Sequence, residues 1–277
     1  RKKTAHLVEE AIKAGFRFID TACQPRHYNE GGVGQGWTTA CAQLNLKRED
    51  LYLQTKFTPP NGQDPNNIPY DPSSPLEEQV NKSLDASLQN LQTTYLDALL
   101  LHSPYNGNID DTMTVWRTFE SFVQKGIVKK IGISNCYDLN FFQTLYEQAT
   151  IKPSMLQNRF YSESNFDDKL RQYCKNRDVS YQSFWTLTAN RDALGTMEIQ
   201  NLAQKKNLSP QTLMYAFMMS LSEEEGSTTT PLCGTTDKGH MMEDVEVMNR
   251  VWNGEEILNE EEIQYIAKIL GVPDEDS

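Results

Sequence analysis

LDALLLHS (Leu96–Ser103) is almost wholly apolar until it stops on a histidine, and that shape decides the fold. LYLQTKF (Leu51–Phe57) places Lys56 near its end in the same way, and FRFIDTA (Phe16–Ala22) places Asp20. Downstream come KKIGISN (Lys129–Asn135), MLQNRFY (Met155–Tyr161), VSYQSFW (Val179–Trp185) and TTTPLCG (Thr228–Gly234). Short apolar runs rich in β-branched and aromatic residues read as buried strands. Between them lie stretches with helical spacing: Gly31–Leu44, Leu76–Leu91, Met113–Gly126, Leu139–Ala149, Phe166–Asn176 and Met197–Lys206. Strand alternating with helix is the pattern of a parallel sheet covered by helices. Gly15 and Gly126 fall where helices should end before strands. Residues Pro59–Pro75, with an Asn-Gly pair and repeated prolines, read as a long loop.

Where the polar residues fall separates a barrel from an open sheet. Asp20, Lys56, His102, Ser134, Asn135, Gln157, Asn158, Gln182 and Ser183 all sit at or near strand ends. In a barrel those ends converge on one mouth, whereas an open sheet scatters them. No G-x-G-x-x-G follows the first strand, so a doubly wound dinucleotide fold lacks its phosphate loop. A barrel of this kind needs ~250 residues. The whole chain, residues 1–277, is therefore expected to be a single barrel domain.

Composition narrows the function. A net charge of −12 argues against nucleic acid or an anionic membrane and favours a small-molecule ligand. The five cysteines are widely spaced with no C-x-x-C, which reads as free thiols in a reducing, cytoplasmic setting. No apolar run approaches the ~20 residues of a membrane span. His6, His27, His102 and His240 form no metal-binding pair, so no metal is expected. The chain opens at Arg1 directly in a helical pattern (Leu7, Val8, Ala11, Ile12), and the acidic tail after Gly271 reads as a solvated end. Oligomeric state is not legible.

Four residues form the sharpest constellation: Asp20, Tyr28 in RHYNE, Lys56 and His102. Taken singly, each has an ordinary reading: Asp20 as a turn or cap, Lys56 as a surface lysine, His102 as a satisfied buried histidine. Together they suit a carbonyl that receives hydride. Tyrosine is a poor acid near neutral pH, and an adjacent ammonium such as that of Lys56 is expected to stabilise its phenolate and lower its pKa. Asp20 would hold the lysine, and His102 would donate to a substrate oxygen.

The succession FIDTA, Y-x-E, strand-end lysine, LLLHSP, GISN, QNR and P-x-x-GTT-x-x-x-H-M-x-E-D resembles the aldo-keto reductase family over about residues 5–262. The resemblance implies a (β/α)8 TIM barrel and direct hydride transfer from NADPH to an aldehyde or ketone. By that likeness Tyr28 is the proton donor, Lys56 and Asp20 tune it, and His102 orients the carbonyl. It also implies that Asp20, Ser134, Asn135 and Gln157 bind the nicotinamide end, with Phe184 or Trp185 stacking on the ring and Leu187 beside them. Gly234, Thr235 and Thr236, with His240, Glu243 and Asp244, match the adenosine-phosphate segment, a strand leading into a helix N-terminus.

Three features depart from the family pattern. CQPRH (Cys23–His27) lengthens the path from Asp20 to Tyr28. The Gly234 segment lacks a lysine and has His240 where arginine is common, so NADP is expected with NAD possible, Lys238 compensating. The N-terminal hairpin and first barrel strand are missing ahead of the opening helix. Two other readings stand beside reduction: a cofactor-binding but catalytically impaired or regulatory member, and an aldolase using Lys56 as a Schiff-base nucleophile.

Overall fold

A computed structural model describes residues 3–221 and 229–273. Thr228, at the start of the seventh expected strand, and positions 274–277 of the acidic tail lie outside the described residues. Two compact units divide the chain, Arg1–Ser154 and Met155–Ser277.

The first unit runs α1 (Thr4–Ala14), β1 (Phe18–Asp20), α2 (Glu30–Leu44), β2 (Tyr52–Phe57), α3 (Leu76–Leu91), β3 (Leu96–Leu101), α4 (Ile109–Gln124), β4 (Val128–Ser134) and α5 (Leu139–Gln148). Its four strands pair in chain order, all parallel. The register sets Asp20 beside Gln54, and Lys56 beside Leu100. β1 is shorter than its apolar run suggests because Arg17 turns back to donate to the Ile12 and Phe16 carbonyls, closing α1. Its line still continues past Asp20, where Thr21 and Cys23 donate to the Gln54 and Lys56 carbonyls.

Helix α2 enters close to its neighbours because it is built on glycine. A Cβ at Gly34 would overlap the Asn90 carbonyl oxygen, and one at Gly36 would come within 2.5 Å of the Ala5 carbonyl oxygen. That approach lets Trp37 donate from Nε1 to the Leu91 carbonyl at 2.7 Å while its ring joins Ile12, Ala40, Cys41, Leu51 and Leu53 in a buried cluster.

The second unit runs β5 (Met155–Arg159), α6 (Asp168–Lys175), β6 (Ser180–Phe184), α7 (Thr186–Ala189), α8 (Arg191–Leu194), α9 (Met197–Lys206), α10 (Pro210–Ser220), β7 (Thr229–Pro231), α11 (Lys238–Trp252) and α12 (Glu260–Leu270). β5, β6 and β7 are again parallel in chain order.

All seven expected strands are present, the differences in the expected elements sit at their ends, and α7, α8, α10 and α12 were not among those expected. α4 starts four residues before the expected Met113 because Asn108 caps it, accepting from Asp110 and Asp111 N–H. α6 starts later than expected because Asn165, Phe166 and Asp167 all hold left-handed backbone conformations. Residues 59–75 form the expected long loop, with one 3-10 turn at Pro60–Gly62. Among the described residues no strand precedes β1, and no helix is long and apolar enough to cross a membrane.

Candidate active site

The first unit gathers Asp20, Tyr28, Lys56 and His102. Lys56 stands on β2 with only 1% of its side chain exposed, and a cation so buried needs partners. It has two: Nζ donates to Asp20 Oδ2 at 2.6 Å and to the Thr21 carbonyl at 2.9 Å. Asp20, in turn, accepts from Gln54 Nε2 at 2.7 Å through its other oxygen. Lys56 Nζ lies 5.6 Å from the centre of the Tyr28 ring, and the Tyr28 and His102 rings meet edge to face with centroids 5.9 Å apart. Among the described residues the Tyr28 hydroxyl has no hydrogen-bond partner, which leaves it available to a ligand.

The electrostatics depart from expectation at Tyr28. Burial pushes its phenol well above the usual tyrosine range, and the negative charge of Asp20 adds to the rise. The expected lowering does not occur, because burial of the phenol outweighs any help from the nearby ammonium. His102 moves the other way. Burial takes its imidazole down to about 3, helped by the positive charges of Lys56 and His27, so it is a neutral ring at ordinary pH.

Further residues hold these groups in place, and of them only Glu30 is specified by a motif, Y-x-E. Glu30, directly after Tyr28-Asn29, is buried and accepts from Thr55 Oγ1 at 2.6 Å and Ser87 Oγ at 2.8 Å. It ties the Tyr28 segment to β2 one residue from Lys56. Asn29 caps α2 by accepting from Gly32 N–H. The lengthened Cys23–His27 segment is clasped by the long loop: Gln63 Nε2 donates to the Cys23 carbonyl at 2.8 Å, and Gln24 Nε2 to the Gly62 carbonyl at 2.7 Å. His27 itself is exposed. A legible signal existed only for Glu30, an acidic side chain at a helix start beside the tyrosine. The others are ordinary polar residues until folded.

Tyr70 and Tyr105, on the loops that follow β2 and β3, are both buried. Their rings pack on Phe57, with Tyr70 Oη donating to the Thr58 carbonyl and Tyr105 Oη to Gln79 Oε1.

The residues matched to cofactor binding fall in both units. In the first, Ser134 is buried at the end of β4, and Asn135 follows in a left-handed conformation, its amide donating to the His102 carbonyl at 2.9 Å. In the second, Gln157 on β5 donates to Gln182 Oε1 at 2.9 Å. Phe184 ends β6, Trp185 is 55% exposed beneath the Arg159 guanidinium, and half-buried Leu187 lies in α7. Gly234, Thr235 and Thr236 lead into the N-terminus of α11, and a Cβ at Gly234 would meet nothing within 4 Å. A helix N-terminus favours an anion such as phosphate, and here the Asp237 N–H is already taken by Thr235 Oγ1. Asp237 caps that turn by accepting from His240 N–H. Glu243 and Asp244 are engaged within the unit. Glu243 accepts from Ser209 N–H and Oγ, and Asp244 lies 2.6 Å from Thr212 Oγ1 and accepts from Cys233 Sγ.

A sequence model described as the aldo/keto reductase family matches residues 1–270. A glyoxal reductase of Bacillus subtilis is 30% identical over 202 residues, which cover 73% of this chain and 64% of that protein. A 9,11-endoperoxide prostaglandin H2 reductase of Trypanosoma cruzi is 26% identical over 275 residues, covering 98% and 86% respectively. Among solved structures, an aldo/keto reductase from Brucella melitensis superposes with a TM-score of 0.75 at 24% identity, covering 97% of this chain and 90% of that one. An aldo-keto reductase of Bombyx mori in complex with NADP gives a TM-score of 0.74 at 22% identity, covering 96% and 82%. These likenesses show the fold, that of a (β/α)8-like barrel, of which seven strands lie among the described residues.

Proposed function

The chain belongs to the aldo/keto reductase family, and from that membership we propose that it reduces aldehyde or ketone carbonyls with a nicotinamide cofactor, using Tyr28 as the proton donor. The observation that carries this reading is the grouping of a partner-free phenol, a carboxylate-held ammonium and a neutral imidazole within the first unit. Similar proteins are reductases of small carbonyl compounds or of an endoperoxide, and one is complexed with NADP, which supports the cofactor.

When bound, the cofactor supplies hydride to the carbonyl carbon. The chain's residues manage the oxygen. His102, neutral and buried, donates a hydrogen bond that orients it. Tyr28 keeps its proton through the neutral range and yields it to the alkoxide that develops, a much stronger base than a carbonyl. Lys56, fixed by Asp20 and the Thr21 carbonyl, places positive charge by the phenolate that results. In this reading Ser134, Asn135 and Gln157 hold the nicotinamide amide, Phe184 or Trp185 covers the ring, and the Gly234–Thr236 backbone receives phosphate. NADPH is the expected donor and NADH a possible one. An aldolase reading fits less well, since Lys56 Nζ is committed to two acceptors.

The test follows NADPH and NADH absorbance against a panel of aldehydes and ketones. Tyr28→Phe should abolish turnover while cofactor affinity, read by fluorescence, stays unchanged. Turnover retained in that variant rejects the assignment. Cofactor binding by the wild type with no turnover on any substrate points instead to a regulatory member.

A further inference from the structure

Thr58, two residues beyond Lys56 and 2% exposed, has its hydroxyl oxygen 2.6 Å from His102 Nδ1. Two arrangements satisfy that distance. In one the hydroxyl donates to a bare Nδ1, so the ring hydrogen sits on Nε2. In the other Nδ1–H donates to the hydroxyl, and Nε2 is left as an acceptor. Nδ1 is the one acceptor within reach of the Thr58 hydroxyl among the described residues. The second arrangement would strand a hydroxyl hydrogen in a buried place, which is costly.

We propose that Thr58 is a positioning residue whose hydroxyl donates to His102 Nδ1 and holds the imidazole in its Nε2–H form, the form able to donate to a carbonyl oxygen. This rests on the reading of His102 as the group that orients the substrate. Because burial keeps the ring neutral, it carries a single hydrogen, and its location decides whether the ring donates or accepts.

Both partners are anchored. The Thr58 carbonyl accepts from Tyr70 Oη at 2.5 Å and from Gln63 Nε2 at 3.2 Å, two side chains of the long loop. A Cβ on Gly62 would lie 2.8 Å from the Thr58 methyl, so the absence of a side chain there leaves the methyl its place. His102 is fixed through its backbone, with its N–H on the Phe57 carbonyl and its own carbonyl accepting from Asn135. The loop thus sets the threonine, the threonine sets the tautomer, and both reach the substrate only through the ring.

The test compares wild type, Thr58→Val and Thr58→Ser as full chains. Long-range 15N correlations of the His102 ring, assigned with His102→Gln, report which nitrogen carries hydrogen. Steady-state reduction of 4-nitrobenzaldehyde with NADPH gives kcat and KM, and fluorescence titration gives NADPH affinity. The wild type and Thr58→Ser should show the Nε2–H pattern. Thr58→Val should show a tautomer mixture and a kcat lowered on the order of 10²-fold, with NADPH affinity unchanged and most of the rate restored by serine. An Nδ1–H ring in the wild type, or a valine variant turning over within about threefold of wild type, overturns the inference. If the wild type reduces no carbonyl, the proposed function fails while the ring spectrum still decides the tautomer. If the valine variant does not fold, the wild-type and serine spectra decide it.

Discussion

Lys56 and Tyr28 stand side by side but depend on their surroundings differently, and substitution should separate them. Lys56→Met removes the cation that faces Asp20 and leaves a largely buried carboxylate with the Gln54 amide but no ammonium beside it, at a cost of about 3 kcal/mol. Tyr28→Phe removes a hydroxyl that bonds to no described residue and should leave stability within about 0.5 kcal/mol. Both should abolish reduction, and chemical denaturation tells them apart: equal stability losses would contradict this account of the pair. His102 adds a pH effect. Its folded pKa, about 3, lies below the unfolded value of about 6.5, so between the two only the unfolded chain binds the proton. The stability it contributes is complete above about pH 6.5 and declines as the pH falls toward 3. Urea midpoints from pH 7 to pH 4 should fall less steeply in His102→Gln than in the wild type. With Tyr28 protonated and His102 neutral, neither group should introduce a step in the pH dependence of reduction between about pH 6 and 8.

Among the elements, α2 and the long loop matter most, because each holds a segment of the site in place. Gly34 brings α2 against the Asn90 carbonyl, so Gly34→Ala must push two helices apart and should cost about 2 kcal/mol or more, seen as a lowered Tm. The same substitution should weaken turnover, since α2 begins at Glu30, which ties the Tyr28 segment to Thr55 and Ser87. Gln63 gives a parallel case in the loop. One amide nitrogen serves both the Cys23 and the Thr58 carbonyls, so Gln63→Ala takes the side-chain donor from the Cys23 carbonyl, leaves the Thr58 carbonyl to Tyr70 alone, and should cost about 1–3 kcal/mol. A stability change below about 0.3 kcal/mol in that variant would show that the clasp contributes nothing.

At the scale of the whole molecule the governing quantity is charge. With 38 acidic against 26 basic side chains, the chain is strongly anionic at neutral pH, and its solubility should fall to a minimum near its isoelectric point of 4.9. Turbidity against pH measures this directly. The expected precipitation and the His102 effect overlap in acid, so the urea series belongs at low protein concentration.

Read as a string of residues, the chain yields the order of its strands, their parallel arrangement and the four chemical groups. Those signals are local: apolar runs of strand length, helical spacing, and a polar residue where each run stops. LLLH and LQTK carried their meaning in a few neighbouring residues, and their conjunction with FIDTA and GISN made the family legible. Only the tertiary structure decided the electrostatic state of the site. Whether the Tyr28 pKa falls depends on how much water reaches the phenol and on which charges stand beside it, and burial and the Asp20 charge raised it against expectation. The roles of Thr58 and Gln63 were hidden for the same reason. Each takes its meaning from a partner some forty residues away, His102 or the Cys23 carbonyl, and a one-dimensional pattern holds no record of which distant atoms come within hydrogen-bonding reach.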